Sequence, residues 1–325
     1  MQFTDFFTIT SPTEFEKIAL ELFQYQAKNN KVYKEYISYF NINTRTINSI
    51  EKIPFLPIQF YKTHQIISTK TAIKQVFTSS GTTGKQTSKH YVTDISLYQN
   101  TFQNTFQHFY GNIKDYVILG LLPSYLEREG SSLIYMVEDL IKQSKHSKSG
   151  FYLDNLSALQ QSLVNLDSQG KKVILIGVSF ALLDLIESHQ FQLKNTIIME
   201  TGGMKGRRKE IIRKELHQKL KTGFGVKTIH SEYGMTELLS QAYSKGNGIF
   251  STPPWMKVLI RDSEDALQLL PHQRTGGINI IDLANRNSCA FIATQDLGKT
   301  YANNTFEVLG RFDHSDIRGC NLLMD

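Results

Sequence analysis

Two cysteines in 325 residues, Cys289 and Cys320, are too few for a disulfide framework, and no Cys/His spacing resembles a zinc site. Both thiols are therefore expected to be reduced. Long apolar runs are scarce as well. The best of them, residues 173–186, is interrupted by Ser179 and Asp184 and reads as a buried strand turning into a helix, so no membrane span is expected. The first residues, from Met1 to Asp5, lack the basic-then-apolar order of a secretory signal, which makes cytoplasmic residence the default. An arginine-rich block is missing too: the net charge of +6 comes from lysines spread along the chain. That charge suits an anionic small molecule or an acidic partner protein. Nucleic acid would have the charge alone in its favour and would predict affinity falling steeply with salt. No Gly-x-Ser-x-Gly elbow occurs and the nine histidines show no motif spacing, so a serine-histidine-acid triad is not readable.

What is present is ordinary globular material, 40% hydrophobic and 20% charged, enough for one large domain with or without a small appendage. Residues 1–60 read as a helical lead-in. Phe15, Ile18, Ala19, Leu22 and Phe23 recur at helical spacing after a Ser-Pro-Thr-Glu start that resembles a cap. The run from Ile53 to Ile58 holds Pro54 and Pro57, which forbid a regular helix and favour an extended connector. Across 61–245, short apolar runs at 116–122, 173–178, 196–199 and 226–230 alternate with amphipathic stretches, the rhythm of an α/β core with parallel strands. Between these, residues 142–150 form a basic, polar stretch expected to be a solvated loop. Across 246–310 the runs at 258–260, 278–281, 290–294 and 306–309 are closely spaced, as in a β-rich subdomain. Residues 311–325 remain as a short tail.

The strongest local signal is Thr78, Ser79, Ser80, Gly81, Thr82, Thr83, Gly84 and Lys85, directly after the strand-like Gln75-Val76-Phe77. Glycines free backbone N–H groups to converge on one anion, hydroxyls add donors and the lysine adds charge, so the loop can cradle polyphosphate. It is not a Walker loop, because only Thr82 and Thr83 separate Gly81 from Gly84. A plain Gly/Thr turn is the alternative. About 150 residues further on comes Tyr233-Gly234-Met235-Thr236-Glu237.

These two strings, in this order, resemble the phosphate-loop and Tyr-Gly-x-Thr-Glu signatures of the adenylate-forming superfamily of acyl- and aryl-CoA synthetases, luciferases and peptide synthetase adenylation domains. The resemblance implies a large N-terminal adenylate-forming domain with parallel-sheet α/β subdomains and a β-rich subdomain. It also implies ATP and Mg²⁺ as cofactors and a carboxylic acid as substrate. Residues 78–85 would wrap the β- and γ-phosphates, Thr236 would contact the α-phosphate, Glu237 would help hold Mg²⁺, and Tyr233 would stack on adenine. Gly202 and Gly203, after the strand-like 196–199, resemble the adenine-side loop. Asp296 resembles the ribose-binding aspartate, and Gly310-Arg311-Phe312-Asp313 resembles the hinge motif, with Arg311 reaching the ribose or α-phosphate and Asp313 absorbing a domain rotation.

The sequence given ends about twelve residues after Asp313, so the small C-terminal domain of the superfamily is essentially absent from it. The lysine carried there, which promotes adenylation, is absent with it. The tail, with Ile317, Arg318, Gly319, Cys320 and Asn321, resembles the acyl-protein synthetase branch (LuxE), as does the segment holding Pro54, Pro57, Phe60, Tyr61 and Lys62. That branch implies a fatty acid substrate, and acyl transfer from acyl-AMP to an enzyme cysteine, here Cys320, and on to an acceptor protein such as a reductase or carrier. Arg318 would lower the thiol pKa from its ordinary ~8.5, whereas Cys289, in a strand-like run, is expected to be core. A phenylacetate-CoA ligase-like enzyme and a non-catalytic nucleotide-binding subunit are the competing readings.

Overall fold

The computed structural model describes residues 5–79, 86–123, 130–152, 155–203, 208 and 211–312. The lead-in is helical. Helix α1 (Pro12–Asn29) opens on a capping box, in which Ser11 Oγ accepts the Glu14 N–H at 3.2 Å and Glu14 Oε2 accepts the Ser11 N–H at 3.2 Å. Its buried face, Phe15, Ala19, Leu22, Phe23, Gln26 and Ala27, follows the helical period. Asn30 ends α1 and caps α2 (Lys31–Ser38), its Oδ1 accepting the Tyr33 N–H at 3.0 Å.

Gln26 and Asn30 are polar yet fully buried, and their side chains stitch the lead-in to a loop some 260 residues away. Gln26 donates to the Asn285 and Arg286 carbonyls at 2.9 and 3.1 Å and accepts the Ala290 N–H at 2.9 Å, while Asn30 donates to Ser288 O at 3.0 Å. The two-proline connector is extended, as its prolines require. Leu56–Pro57 (β1) pairs in parallel with β14 (Phe291–Thr300), Leu56 opposite Ile292.

Thirteen strands among the described residues form one sheet. Its first half is parallel: β5 (Gly150–Phe151), β4 (Val117–Leu121), β6 (Val173–Val178), β7 (Thr196–Thr201) and β8 (His230–Tyr233) lie side by side in that order. Strands β4 and β6 are buried along their whole length, which is why they read as unbroken apolar runs. The run at 173–186 is a strand turning into a helix, β6 into Ser179–Ser188. The sheet then turns antiparallel through β9 (Ala242–Ser244), β10 (Ile249–Ser251), β15 (Thr305–Arg311), β14, β13 (Gly276–Asp282), β11 (Met256–Arg261) and β12 (Leu269–Leu270). The expected α/β class with a parallel half and a β-rich half is therefore present, and hydrogen bonding runs from one half to the other through β8, β9 and β10. Among the described residues no helix is long and apolar enough to cross a membrane.

One expected strand is displaced. The apolar run at 226–230 is not a strand before His230, because the helix Arg213–Phe224 ends on Gly225 in the left-handed region at φ +67°, and the Val226 N–H closes on Lys221 O at 3.2 Å. Residues 226–229 are spent leaving the helix. The strand is instead His230–Tyr233, which puts Tyr233 on the sheet. A basic loop is expected at 142–150, but the helix Ser132–Ser144 runs into it and ends on Lys145 at φ +54°.

Candidate active site

The first motif is carried on a separate hairpin. Strands β2 (Gln75–Thr78) and β3 (Lys89–Val92) pair with Thr78 opposite Lys89, and beyond them the Ser79 N–H bonds Ser88 O at 3.1 Å while the Ser88 N–H bonds Ser79 Oγ at 2.9 Å. Thr78 is also tied down, its N–H bonding Gly130 O at 2.8 Å. Ser80, Gly81, Thr82, Thr83, Gly84 and Lys85 lie outside the described residues.

The stem docks on the second motif through His90, whose Nδ1 lies 2.8 Å from Thr236 O and whose Nε2 lies 3.0 Å from Ser288 Oγ. A carbonyl can only accept, so Nδ1 carries the proton and Nε2 accepts from Ser288. Asn285 adds a second support, donating to Glu237 O at 2.8 Å. The loop stitched to the lead-in helix thus also holds Thr236 and Glu237.

Burial pushes the His90 imidazole down to about 4 from an ordinary 6.5. Between those two values the unfolded chain binds a proton that the folded chain excludes, so the stabilisation is complete above pH 6.5 and is lost as pH falls toward 4. On this basis His90 contributes on the order of 3 kcal/mol at pH 7 that is gone by pH 4. His230, pushed down to about 4 by burial and by Lys245, adds in the same direction. Urea midpoints compared at pH 7 and pH 4.5 should fall accordingly, and His90→Asn should be less stable at pH 7 with a shallower dependence on pH. An equally steep fall in that variant would remove His90 as the cause.

The third cluster is built on the β14–β15 pair, where Asp296 and Arg311 face each other across the ladder. Asp296 is buried. Its Oδ1 accepts from Arg311 Nε at 3.0 Å, and its Oδ2 accepts from Tyr233 OH at 2.7 Å. Arg311 is exposed beyond that contact, leaving most of its donor fork toward solvent. Tyr233 is buried, packing edge-on against Phe250 and Phe306 with ring centroids 5.9 and 5.6 Å away. Beneath, Arg261 donates to Ile278 O and Thr294 O at 2.8 and 2.6 Å and sits 5.5 Å from the Phe312 ring, bracing the strand ends. Asp313 lies outside the described residues.

Glu237 is buried and its carboxyl is raised by that burial, with a hydrogen bond from the Ser88 hydroxyl opposing the rise. Thr236 is half-buried, whereas Gly234 is exposed. Gly202, at φ +66°, is exposed, and a side chain at Gly203 would meet open space, so this turn presents bare backbone. Ser179 Oγ donates to Gly202 O at 3.4 Å, and Thr201 Oγ1 donates to Glu232 Oε2 at 2.5 Å, which ties the turn to the strand carrying Tyr233.

The structure thus brings together the stem of the first motif with Thr236 and Glu237, and Tyr233 with Asp296 and Arg311. Cys320 lies outside the described residues. Cys289 is core, fully buried with its thiol pushed up to about 12 by burial. Four residues that support the site belong to no sequence motif: Ser88, His90, Asn285 and Asp282. Asp282 accepts the Leu239 and Ser240 N–H groups at 2.9 and 3.0 Å, Ser240 Oγ at 2.6 Å and the Ala284 N–H at 3.2 Å, fixing the chain just after Glu237. An Asp opening the Leu283–Asn285 turn is a visible cap signal, but its remote partners are not.

The fold is similar to that of several solved structures. Over 94% of this chain and 69% of the other, it matches 2-hydroxyisobutyryl-CoA ligase in the postadenylation state in complex with R3-HIB-AMP, at TM-score 0.68 and 11% identity. ATP-bound MatB from Rhodopseudomonas palustris matches at TM-score 0.56 and 16% identity over 74% of this chain, which spans 48% of the length of that protein. At such identities the likeness shows the fold alone. No curated protein matches the chain. The sequence model for "Acyl-protein synthetase, LuxE" covers residues 11–325, from the capping serine of the first helix through all of the clusters above, and the chain belongs to that family.

Proposed function

We propose that the chain activates a carboxylic acid with ATP and passes the acyl group to a thiol. In the first step a carboxylate oxygen bonds to the α-phosphorus, the bond to the β-phosphate breaks, and pyrophosphate leaves with acyl-AMP remaining. In the second a cysteine thiolate attacks the acyl carbon and AMP departs. The observation that carries this reading is the seating of the hairpin stem on Thr236 and Glu237 through His90, at one end of a strand whose Tyr233 is tied to Asp296 and Arg311.

Each residue has work suited to its surroundings. The loop residues 78–85 hold the β- and γ-phosphates with backbone N–H groups, hydroxyls and Lys85. Arg311, anchored through Nε, offers its remaining N–H donors to the ribose or α-phosphate, and Asp296 offers its remaining lone pairs to ribose hydroxyls. Thr236 lies at the α-phosphate, Tyr233 at the adenine side, and Gly202 and Gly203 let the adenine ring approach the backbone. Glu237 fits a magnesium ligand: it is a hard oxygen donor beside the loop stem, and its burial penalises a carboxylate anion that a dication would stabilise. Bound Mg²⁺ would supply charge neutralisation of the polyphosphate. The acid is a fatty acid and the thiol is that of Cys320, with onward transfer to an acceptor protein. These two assignments follow the family.

Pyrophosphate exchange across a panel of acids tests the first step; no exchange with any acid from a folded, ATP-binding chain would show a non-catalytic nucleotide-binding subunit instead. For the second step, Cys320→Ser is expected to keep exchange and lose the acid-stable acyl-protein label. Undiminished labelling of that variant would remove Cys320 as carrier, and acyl-CoA release on adding coenzyme A would favour the CoA-ligase reading.

A further inference from the structure

Every strand of the parallel half is entered through a loop that carries an exposed lysine. The helices Ile95–Tyr110, Ser132–Ser144, Leu156–Ser168, Ser179–Ser188 and Arg213–Phe224 run back along the sheet and hand over to β4, β5, β6, β7 and β8 at one edge. Lys114 stands before β4, Lys145 and Lys148 before β5, and Lys171 and Lys172 before β6. Lys194 stands before β7, Lys227 before β8, and Lys245 in the turn from β9 to β10, which the antiparallel pairing of β8 with β9 brings to the same edge. The loops adjoin: the Val117 N–H bonds Lys172 O at 2.9 Å, the Val173 N–H bonds Asn195 O at 3.2 Å, and Lys245 Nζ lies 5.6 Å from the Tyr110 ring. All eight lysines are exposed, and the lysines in ion pairs among the described residues are others, Lys142, Lys219 and Lys299.

The loops, 111–116, 145–149, 169–172, 189–195, 225–229 and 245–248, hold no arginine and one acid, Asp115. Eight lysines against one aspartate make +7 at this edge, where the whole chain carries +6, so the rest of the molecule is close to neutral. In the last helical turns beside it, Asp167 is buried on the Lys194 and Asn195 N–H groups and Glu187 pairs with Arg208, while Lys142 and Lys221 add charge of the other sign. We propose that this edge adsorbs the protein on an anionic lipid surface. Strands about 4.8 Å apart spread the charge over about 30 Å from β5 to β10, a width suited to a plane rather than to a pocket. Lysine is a hydrated point charge without the fork that grips one phosphate, and the helices arrive by their C-termini, whose partial negative charge opposes close seating of a single anion. None of the exposed large apolar side chains among the described residues, from Tyr39 to Leu309, lies in these loops. The edge therefore offers no wedge for insertion and no apolar centre for a protein interface, where lysine is depleted. Headgroup charge alone holds such a face, at about fivefold in partitioning per lysine. Tyr233 ends β8 and Gly202 follows β7 at the opposite edge, so the adsorbed chain keeps its candidate active site toward water. The inference rests on the sheet and stands apart from the adenylation reading.

The test is sedimentation of the full chain with vesicles of phosphatidylcholine alone and of phosphatidylcholine with about 30% phosphatidylserine. Binding is expected only to the anionic vesicles at about 0.05 M salt, and should be lost at about 0.5 M, where screening acts within a few ångströms. Lys171→Gln combined with Lys172→Gln should weaken it about 25-fold. Lys31→Gln combined with Lys34→Gln removes the same net charge from exposed positions on α2 and should change it less than about twofold. Urea midpoints of both double variants confirm that each is folded. Equal losses in the two would leave bulk charge as the cause and overturn the inference, as would equal binding to the neutral vesicles or none to the anionic ones. Tighter binding to polyglutamate or to duplex DNA than to the anionic vesicles at the same salt would assign the edge to an acidic protein or to nucleic acid, and overturn it likewise.

Discussion

Asp296→Asn is expected to lower kcat/KM for ATP in pyrophosphate exchange by about 100-fold, with KM for the acid little changed. The carboxylate is buried, with one oxygen on Tyr233 OH and the other on Arg311 Nε. Asparagine can still accept the tyrosine proton, but it turns an N–H group toward the guanidinium, so an attraction becomes donor against donor. Two things are lost together: the anchor that aims Arg311 and an anionic acceptor for the ribose. Charge-assisted hydrogen bonds contribute about 1.5–3 kcal/mol, and 100-fold corresponds to about 2.7 kcal/mol, so one such bond accounts for the effect. Global stability should move by less than about 1 kcal/mol, because the exposed half of an ion pair contributes little to folding. Equal losses in stability and activity would mean that Asp296 holds the fold and not the nucleotide.

A larger effect on stability is expected at Asp282. Asp282→Ala removes the acceptor for three backbone N–H groups and one hydroxyl, all buried, at a cost of about 3–5 kcal/mol. Trp255 is drawn in as well, since its Nε1 donates to the same Ser240 Oγ at 3.1 Å. Because Leu239 and Ser240 stand two and three residues after Glu237, whatever folded protein remains should also show a raised KM for ATP. Asp282→Asn keeps one acceptor oxygen and should lose about half as much. Urea unfolding of the three proteins at pH 7 measures this. A drop under about 1 kcal/mol for the alanine variant would show that water replaces the carboxylate at no great cost.

Both residues illustrate how unevenly the molecule is legible. Asp296 is visible because it lies in a short string close to a second string, and the ladder that pairs it with Arg311 is a local hairpin, fifteen residues across. Asp282 has no such mark. Its remote partners, Ser240 and Leu239, lie 42 and 43 residues away, and an aspartate before an apolar turn is common in loops. The buried polar groups at the end of the first helix are unreadable for the same reason: Gln26 fits the helical period and Asn30 its cap, but their partners lie 259 and 258 residues away. The displaced strand shows the reverse error. Apolarity at 226–229 was real, and Ile229 is buried, yet helix closure at Gly225 took those residues before a strand could begin.

By itself the sequence determined what depends on near neighbours: the capping box at Ser11, the buried runs of β4 and β6, the proline-held connector, and the strings that mark the family. Tertiary structure alone decided which polar groups meet. His90 reaches Thr236 across 146 residues, Thr201 reaches Glu232 across 31, and Tyr233 reaches Asp296 across 63. The reason is physical. Apolar burial is non-directional and leaves a period in the chain, whereas a buried hydrogen bond needs two particular atoms about 3 Å apart, and only the packed sheet sets that distance.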